Sequence, residues 1–114
     1  MNIDQLRQFC MQLPGVTEDI KWDHDLCFSI GKKMFAVTGM ENAEGGISVK
    51  TTPEKFAELT ERPGIRPAHY VARYHWVTVE DPDAVSSDEL RQLIRESYQL
   101  VFDKLPAKIK KTIS

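Results

Sequence analysis

Residues 62–79 form the part of this sequence best suited to contacting another molecule, because the stretch contains no acidic side chain. Its arginines are interleaved with tyrosines, histidines and a tryptophan. Guanidinium groups bind phosphate oxygens, and aromatic rings stack on unpaired bases, a contact worth about 1–3 kcal/mol per base. Lys50 joins these cations if the fold gathers them. The side chains that we predict to contact nucleic acid are Lys32, Lys33, Arg62, Arg66, Arg73 and Trp76.

The overall charge of the chain argues in the other direction. The formal net charge is −2 and the sequence pI is about 5.9, whereas a dedicated nucleic-acid-binding protein usually carries a basic excess. Runs of like charge are most often solvated faces, so an exposed strand edge that binds nothing is the alternative interpretation. Charge is nevertheless segregated along the chain, since the tail from Lys104 onward holds four lysines and no acid.

Residue patterns for metal binding and catalysis are weak. The sequence has no C-x-x-C or H-x-x-x-H spacing, and Asp23-His24-Asp25 is more typical of a polar turn than of a metal site. It also lacks the G-x-S-x-G elbow and the glycine-rich phosphate loops. A reactive thiolate would require a Cys27–His24 pair, and a buried structural thiol is the simpler interpretation of Cys27. We therefore predict no enzymatic activity, no catalytic residue, no metal and no cofactor.

Length and composition are those of an ordinary globular protein. The 114 residues suit one domain, residues 1–114, with hydrophobic and charged shares of 41% and 28%. No apolar run approaches the roughly 20 residues that cross a bilayer, and the first residues show no basic and apolar leader. Cysteines without an export leader are expected to remain free thiols. We therefore expect a cytoplasmic protein that does not enter membranes.

Apolar residues at helical spacing predict three helices. The first covers about residues 3–13 behind an Asn2 cap. A short helix begins after Thr52, and a long amphipathic helix follows a capping box formed by Ser86 and Glu89. The basic segment after the long helix forms a short helical turn or frays.

Strands are predicted between these helices. Residues 17–22 form a short strand or an extended lead-in, and residues 26–30 and 33–38 form a hairpin. Residues 47–50 form a third strand, and one or two more lie within residues 70–79. The order of elements predicts an α+β fold, a two-layer α-β(3)-α-β(2)-α domain with an antiparallel sheet packed on helices.

The predicted hairpin divides its side chains between the two faces of the sheet. A two-residue loop that begins with Gly31 suits a type II′ turn, which pairs Phe28 with Phe35 and Leu26 with Val37. These bulky residues should face the helices, because side chains alternate along a strand. The opposite face, open to solvent or to a partner, should carry Cys27, Ser29, Met34, Ala36 and, if the valines of the last strand face the helices, Trp76.

An open sheet face is the basis of a second functional hypothesis. It could hold a peptide, a second copy of the chain or a small apolar molecule, and an exposed Trp76 beside Met34 would mark it. The simpler interpretation is a half-exposed surface without a ligand, since isolated surface apolar groups are common. A protein- or small-ligand-interaction module is therefore the alternative to nucleic-acid binding.

The order and spacing of several short segments resemble the MmcQ/YjbR family of small bacterial proteins, across essentially the whole chain. The segments are Pro14-Gly15, Gly31-Lys32-Lys33-Met34-Phe35-Ala36, Ser48-Val49-Lys50-Thr51, Arg66-Pro67-Ala68 and His75-Trp76-Val77. The resemblance implies the α-β(3)-α-β(2)-α fold, described as CyaY-like and related in shape to secretion chaperones. It implies DNA as the partner, because DNA binding has been proposed for the fold. It brings no agreed catalytic residue, and fold similarity alone is a poor guide to activity.

Overall fold

The computed structural model describes residues 2–21, 25–39, 46–68 and 71–113. In chain order its main elements are α1 (Ile3–Met11), β1 (Val16–Lys21), β2 (Asp25–Ile30), β3 (Lys33–Gly39), β4 (Ile47–Lys50), α2 (Pro53–Leu59), β5 (Ile65–Pro67), β6 (Trp76–Val79), α3 (Ser87–Asp103) and α4 (Ala107–Ile113). Short 3-10 helices occupy Ala72–Tyr74 and Pro82–Ala84. No helix in these described ranges is long and apolar enough to span a bilayer.

The six strands form one antiparallel sheet in the order β1-β2-β3-β4-β6-β5. Helices α1, α2 and α3 send apolar side chains such as Leu6, Leu59 and Ile94 into one core with the sheet. The predicted α+β fold class is therefore confirmed. Of the two forms left open for the segment after α1, the strand is the correct one, and the basic tail forms helix α4.

The turn between β2 and β3 differs from the predicted one. Gly31 and Lys32 both have positive φ angles, +55° and +68°. Two positive values define a type I′ turn, whereas type II′ has a positive φ only at the first position, so the type II′ prediction is wrong. Lys32 holds this left-handed conformation at a cost of about 1–2 kcal/mol for a residue with a Cβ.

A β-bulge in β3 changes the pairing of the hairpin. Phe28 lies opposite Ala36, and Phe35 has no cross-strand partner in the ladder. The predicted Phe28–Phe35 and Leu26–Val37 pairs are therefore wrong, because the extra residue shifts the register by one. The two phenylalanines are nevertheless both fully buried in the helix-facing core, as predicted.

The same bulge exchanges two residues between the faces of the sheet. Ala36, expected on the open face, belongs to the helix-facing core, and Val37 lies on the other face opposite Cys27. Side chains alternate with a period of two, so one inserted residue reverses the face of every residue that follows.

Ser97 of α3 connects the bulge to the neighbouring strand. Its hydroxyl donates to the Phe35 carbonyl at 2.6 Å and accepts from the Lys50 backbone N–H at 2.9 Å. The serine is fully buried, so it satisfies two backbone groups where water is absent. This contact fixes the positions of β3 and β4 relative to α3.

The chain between α2 and β6 is less regular than predicted. β5 is an edge strand and contains Pro67, a residue confined to sheet edges because proline cannot donate to a ladder. The expected strand at residues 70–73 is wrong in its described part, because Ala72–Tyr74 form a 3-10 helix. His75 then adopts a left-handed φ of +67°, which turns the chain into β6.

Candidate nucleic-acid interface

Arg62 is held by carboxylates from two helices. Its Nη1 lies 2.9 Å from Glu89 Oε1 in α3, and its Nη2 lies 3.4 Å from Glu58 Oε1 in α2. The hydrogen bond from Arg62 lowers the pKa of Glu89 below its ordinary value, although burial acts in the opposite direction. The predicted cap of α3 is present, with Ser86 accepting from the Glu89 backbone N–H, but the Glu89 carboxylate binds Arg62.

Arg66 in β5 is also engaged on both sides of its guanidinium group. Its Nε donates to the Glu80 carboxylate, and its Nη1 donates to the Pro67 carbonyl at 3.1 Å. A guanidinium group paired in this way is already neutralised, so a phosphate must compete with a carboxylate for it.

Arg73 is the accessible member of the predicted arginine set. Its guanidinium carbon lies 4.8 Å from the centroid of the Tyr74 ring, and both side chains are exposed. No carboxylate lies within ion-pair distance of it in the part of the chain that the structure describes. A cation–π contact leaves the outer side of the guanidinium group free to bind an anion.

Trp76 lies on the face of the sheet opposite the helices, because the valines of β6 do face the helices, but it is not exposed. Val77 and Val79 belong to the helix-facing core, which places Trp76 and Thr78 on the opposite face. The tryptophan is only 8% exposed. Its ring therefore offers little surface to a base or to a protein partner, in contrast to the exposed tryptophan that the second hypothesis required.

A second group of cations collects where the β2–β3 turn meets the end of α3. A Cβ added to Gly31 would approach the side chain of Leu105 to 2.8 Å and that of Ile109 to 3.2 Å. The turn thus lies directly against the junction between α3 and α4. Lys32 and Lys33 occupy this turn and the start of β3, and both are exposed.

Further lysines come from the junction itself and from β4. Lys104 is the C-cap residue of α3, and Lys108 lies in the first turn of α4. Lys50 ends β4, where burial and then the nearby Lys104 ammonium lower its pKa. Two cations are therefore held close together at this point of the surface. We call the set Lys32, Lys33, Lys50, Lys104 and Lys108 the lysine corner.

The lysine corner is not neutralised by the protein's own carboxylates. Among the residues that the structure describes, no carboxylate lies within ion-pair distance of any of its members. The adjacent Asp103 carboxylate instead accepts from Gln99 Nε2 at 2.6 Å. The sequence-based site did not include Lys104 or Lys108, although the acid-free tail was the signal that could have identified them.

The described thiols and histidine show no arrangement for nucleophilic chemistry. Burial raises the pKa of Cys10 to about 12 and also raises that of Cys27. The His75 ring packs edge-on against Phe56, with the two centroids 5.7 Å apart. No group of three His, Cys, Asp or Glu residues able to hold a metal occurs within the described ranges. The metal site considered at Asp23-His24-Asp25 and the Cys27–His24 pair both require His24, which lies outside those ranges.

Comparison with known proteins identifies a family. The family model described as YjbR matches residues 11–100. The chain is 28% identical over 116 residues to the uncharacterized protein YjbR of Escherichia coli K12, covering 99% of this chain and 98% of that protein. It is 31% identical over 88 residues to the uncharacterized protein YbdF of Escherichia coli O157:H7, covering 75% and 71% of the two chains.

Two solved structures share the fold. Protein DR2400 of Deinococcus radiodurans, described with a DUF419 domain, has a TM-score of 0.86 and 30% identity, covering 97% of this chain and 86% of that one. Protein PsR293 of Pseudomonas syringae has a TM-score of 0.69 and 26% identity, covering 89% and 99%. The descriptions of these relatives include no ligand or reaction, so the geometry of the site carries the functional argument.

Proposed function

This chain belongs to the YjbR family, and we propose that it is a non-enzymatic protein that binds DNA through the lysine corner. One observation carries the proposal: the β2–β3 turn and β4 both meet the end of α3, and no lysine of the lysine corner has a carboxylate partner among the described residues. DNA is the polyanion that we propose, because it is the partner that the sequence resemblance implies.

Electrostatics favour an anion at the lysine corner. Like charges that are close together repel each other, and the lowered pKa of Lys50 reflects Lys104 as well as burial. A phosphate group between them would favour the charged form of both lysines and remove that repulsion. Phosphate contacts also release condensed counterions from the duplex, which makes the affinity strongly dependent on salt.

The three arginines predicted to contact nucleic acid differ in how readily they can bind a phosphate. Arg62 and Arg66 would have to exchange a carboxylate for a phosphate, and this exchange replaces one charge-assisted hydrogen bond with another. Arg73 is accessible and can bind a phosphate without losing an ion pair. The lysine corner is therefore the primary contact and Arg73 a secondary one.

The non-enzymatic part of the proposal rests on the state of the potential nucleophiles. A cysteine attacks as a thiolate, and burial raises the pKa values of Cys10 and Cys27. We also propose that the fold is related to the CyaY-like proteins and, in shape, to secretion chaperones, as the resemblance to α-β(3)-α-β(2)-α proteins implies. This relation indicates no chemical reaction for the present chain.

Fluorescence anisotropy with a labelled duplex at increasing salt tests DNA binding. If all five lysines contact phosphates, log K should fall with log [salt] at a slope of about −4.5. Affinity should then drop roughly 10²–10³-fold between 50 and 200 mM salt. Absence of binding at low salt would rule out the proposal.

A matched pair of variants locates the interface. Lys32→Gln with Lys104→Gln removes two charges from the lysine corner and should reduce the magnitude of the slope by about 1.8. Lys55→Gln with Arg91→Gln removes the same net charge from residues that already pair with Glu58 and Asp88. If both double variants lose affinity equally, net charge rather than the lysine corner governs binding.

A further inference from the structure

Strand β1 is an edge of the sheet, and no strand among the described residues pairs with its outer side. The sheet ends in β1 on one side and in β5 on the other. β5 is three residues long and contains Pro67, whereas β1 is six residues long and contains no proline. An edge strand of this length presents free backbone groups to another strand.

A cleft lined by apolar and charged residues lies beside this edge. Ile20 of β1 is 53% exposed and lies opposite the buried Leu26 of β2. Both residues, with Ile3 of α1, line a cleft of about 470 Å³. Arg7, Glu18 and Asp19 also line it, and Arg7 forms an ion pair with Glu18, with Nη2 2.7 Å from Oε1. The cleft thus has apolar side chains directly next to the outer side of β1.

Symmetry restricts how a second copy can pair with β1. A two-fold axis perpendicular to the sheet leaves each side chain on the same face of the sheet in both copies. Residues directly opposite each other in antiparallel strands also share a face. The axis must therefore pass beside one residue, which lies opposite the same residue of the other copy. An axis at Glu18, Asp19 or Lys21 sets that charge opposite itself, which is destabilising. An axis at Val16 or Thr17 places no two opposite charges of β1 across from each other.

An axis at Ile20 satisfies both the charges and the cleft. Asp19 of each copy then lies opposite Lys21 of the other, on the face away from the helices, which gives two pairs of opposite charge. The two Ile20 side chains meet on the cleft side, where each can cover the apolar side chains of the other copy's cleft. We propose that two copies of this chain associate by antiparallel β1–β1 pairing centred on Ile20.

The charges of the strand identify the occupant as a second copy. Asp19 has no ion-pair partner among the described residues, and Lys21 lies across the ladder from Asp25 at the outer end of β2. An arrangement that pairs Asp19 and Lys21 through a symmetry axis is complementary to itself. This association is independent of the lysine corner, which is built from other elements.

Sedimentation velocity over a range of protein concentrations tests the association. The wild-type chain should shift from monomer to dimer as the concentration rises. Asp19→Lys or Lys21→Asp alone converts two attractive pairs into repulsive ones and should weaken the dimer about tenfold or more. The double variant Asp19→Lys with Lys21→Asp restores opposite charges and should recover the wild-type dissociation constant.

Ile20→Lys should abolish the dimer, and Met11→Lys is its matched control. Met11 is 43% exposed on α1, so the control replaces an apolar residue of similar exposure that neither belongs to β1 nor lines the cleft. Circular dichroism of each variant separates a lost dimer from a lost fold. A chain that stays monomeric at every concentration, even if a peptide or small apolar molecule fills the cleft, overturns the proposal. A dimer that still forms with Ile20→Lys also overturns it. So does a double variant, Asp19→Lys with Lys21→Asp, that dimerises no better than either single variant.

Discussion

Residues 62–79, the arginine segment, and the lysine corner are both rich in cations, but the fold neutralises most of the charge of the first and not that of the second. Arg62 and Arg66 are bound to carboxylates from neighbouring elements, so most of their charge is neutralised within the molecule. Lysines at the turn, at β4 and at the α3–α4 junction are brought together without such partners among the described residues.

This difference shows that the fold, and not a run of basic residues in the sequence, decides which cations are free to bind an anion. Residues 62–79 contain no acid, but Glu58, Glu80 and Glu89 reach the arginines from outside that run. The lysines are scattered along the chain, and each looks like an ordinary surface residue. Their convergence depends on contacts between elements that are distant in sequence.

The largest expected effect concerns the contact that positions the lysine corner. Ser97→Ala leaves the Phe35 carbonyl and the Lys50 backbone N–H without their buried partner, which should cost about 1–3 kcal/mol of the free energy of unfolding. Urea denaturation measures this loss. If DNA binding depends on how β4 is placed, affinity should fall in the same variant.

Ser87→Ala is the control for that comparison. Ser87 is an exposed residue at the start of the same helix, and alanine there should be neutral or slightly stabilising. A Ser97→Ala variant as stable as this control would show that the bulge does not need the serine.

An intermediate effect is expected from releasing Arg62. Glu58→Gln with Glu89→Gln removes both carboxylates that bind its guanidinium group. The freed arginine should strengthen DNA binding about two- to fivefold in the anisotropy assay. Arg62 would then lack a carboxylate partner, as the members of the lysine corner do.

Glu54→Gln with Glu61→Gln provides the same change in net charge without freeing an arginine. Both glutamates are exposed, and neither forms an ion pair within the described residues. If this control gains as much affinity as the Glu58 and Glu89 variant, then overall charge, and not the release of Arg62, explains the gain.

The smallest expected effect comes from removing one lysine of the corner. Lys104→Gln should raise the pKa of Lys50 and stabilise the fold by a few tenths of a kcal/mol, about the size of other exposed charge interactions. A lowered lysine pKa penalises the folded state below that pKa, and the penalty disappears as pH rises through it. The gain should therefore be present at neutral pH and vanish at alkaline pH.

Thermal unfolding at several pH values measures that gain, and Lys111→Gln serves as the comparison in α4. A destabilised Lys104→Gln variant at neutral pH would contradict the inferred repulsion between Lys50 and Lys104.

Elements governed by local rules could be predicted well. The apolar stripe of α3 and the Ser86 cap depend on residues within a few positions of each other, and both are confirmed. The hairpin was predicted at the correct place, but its register was not. The bulge at Phe35 leaves a carbonyl that is satisfied by Ser97, a residue 62 positions away in the chain.

The site was predicted in part for the same reason. The i, i+4 relation between Glu58 and Arg62 is visible in the sequence, whereas the Glu89 partner lies 27 positions away. Membership of Lys104 in a cluster required knowledge that α3 ends against the β2–β3 turn. Alternation left the face of Trp76 dependent on where the valines of β6 point, and its burial depends on neighbours that alternation along the strand does not reveal.

The amino-acid order by itself determined helices α1, α2 and α3, the location of the tight turn and the α+β class, because periodicity and capping act over one or two turns of chain. The tertiary structure alone decided which cations are neutralised and which are left to bind an anion. Coulomb interactions depend on the distance between charged groups in space, and only packing brings Lys50 to Lys104 or Arg62 to Glu89.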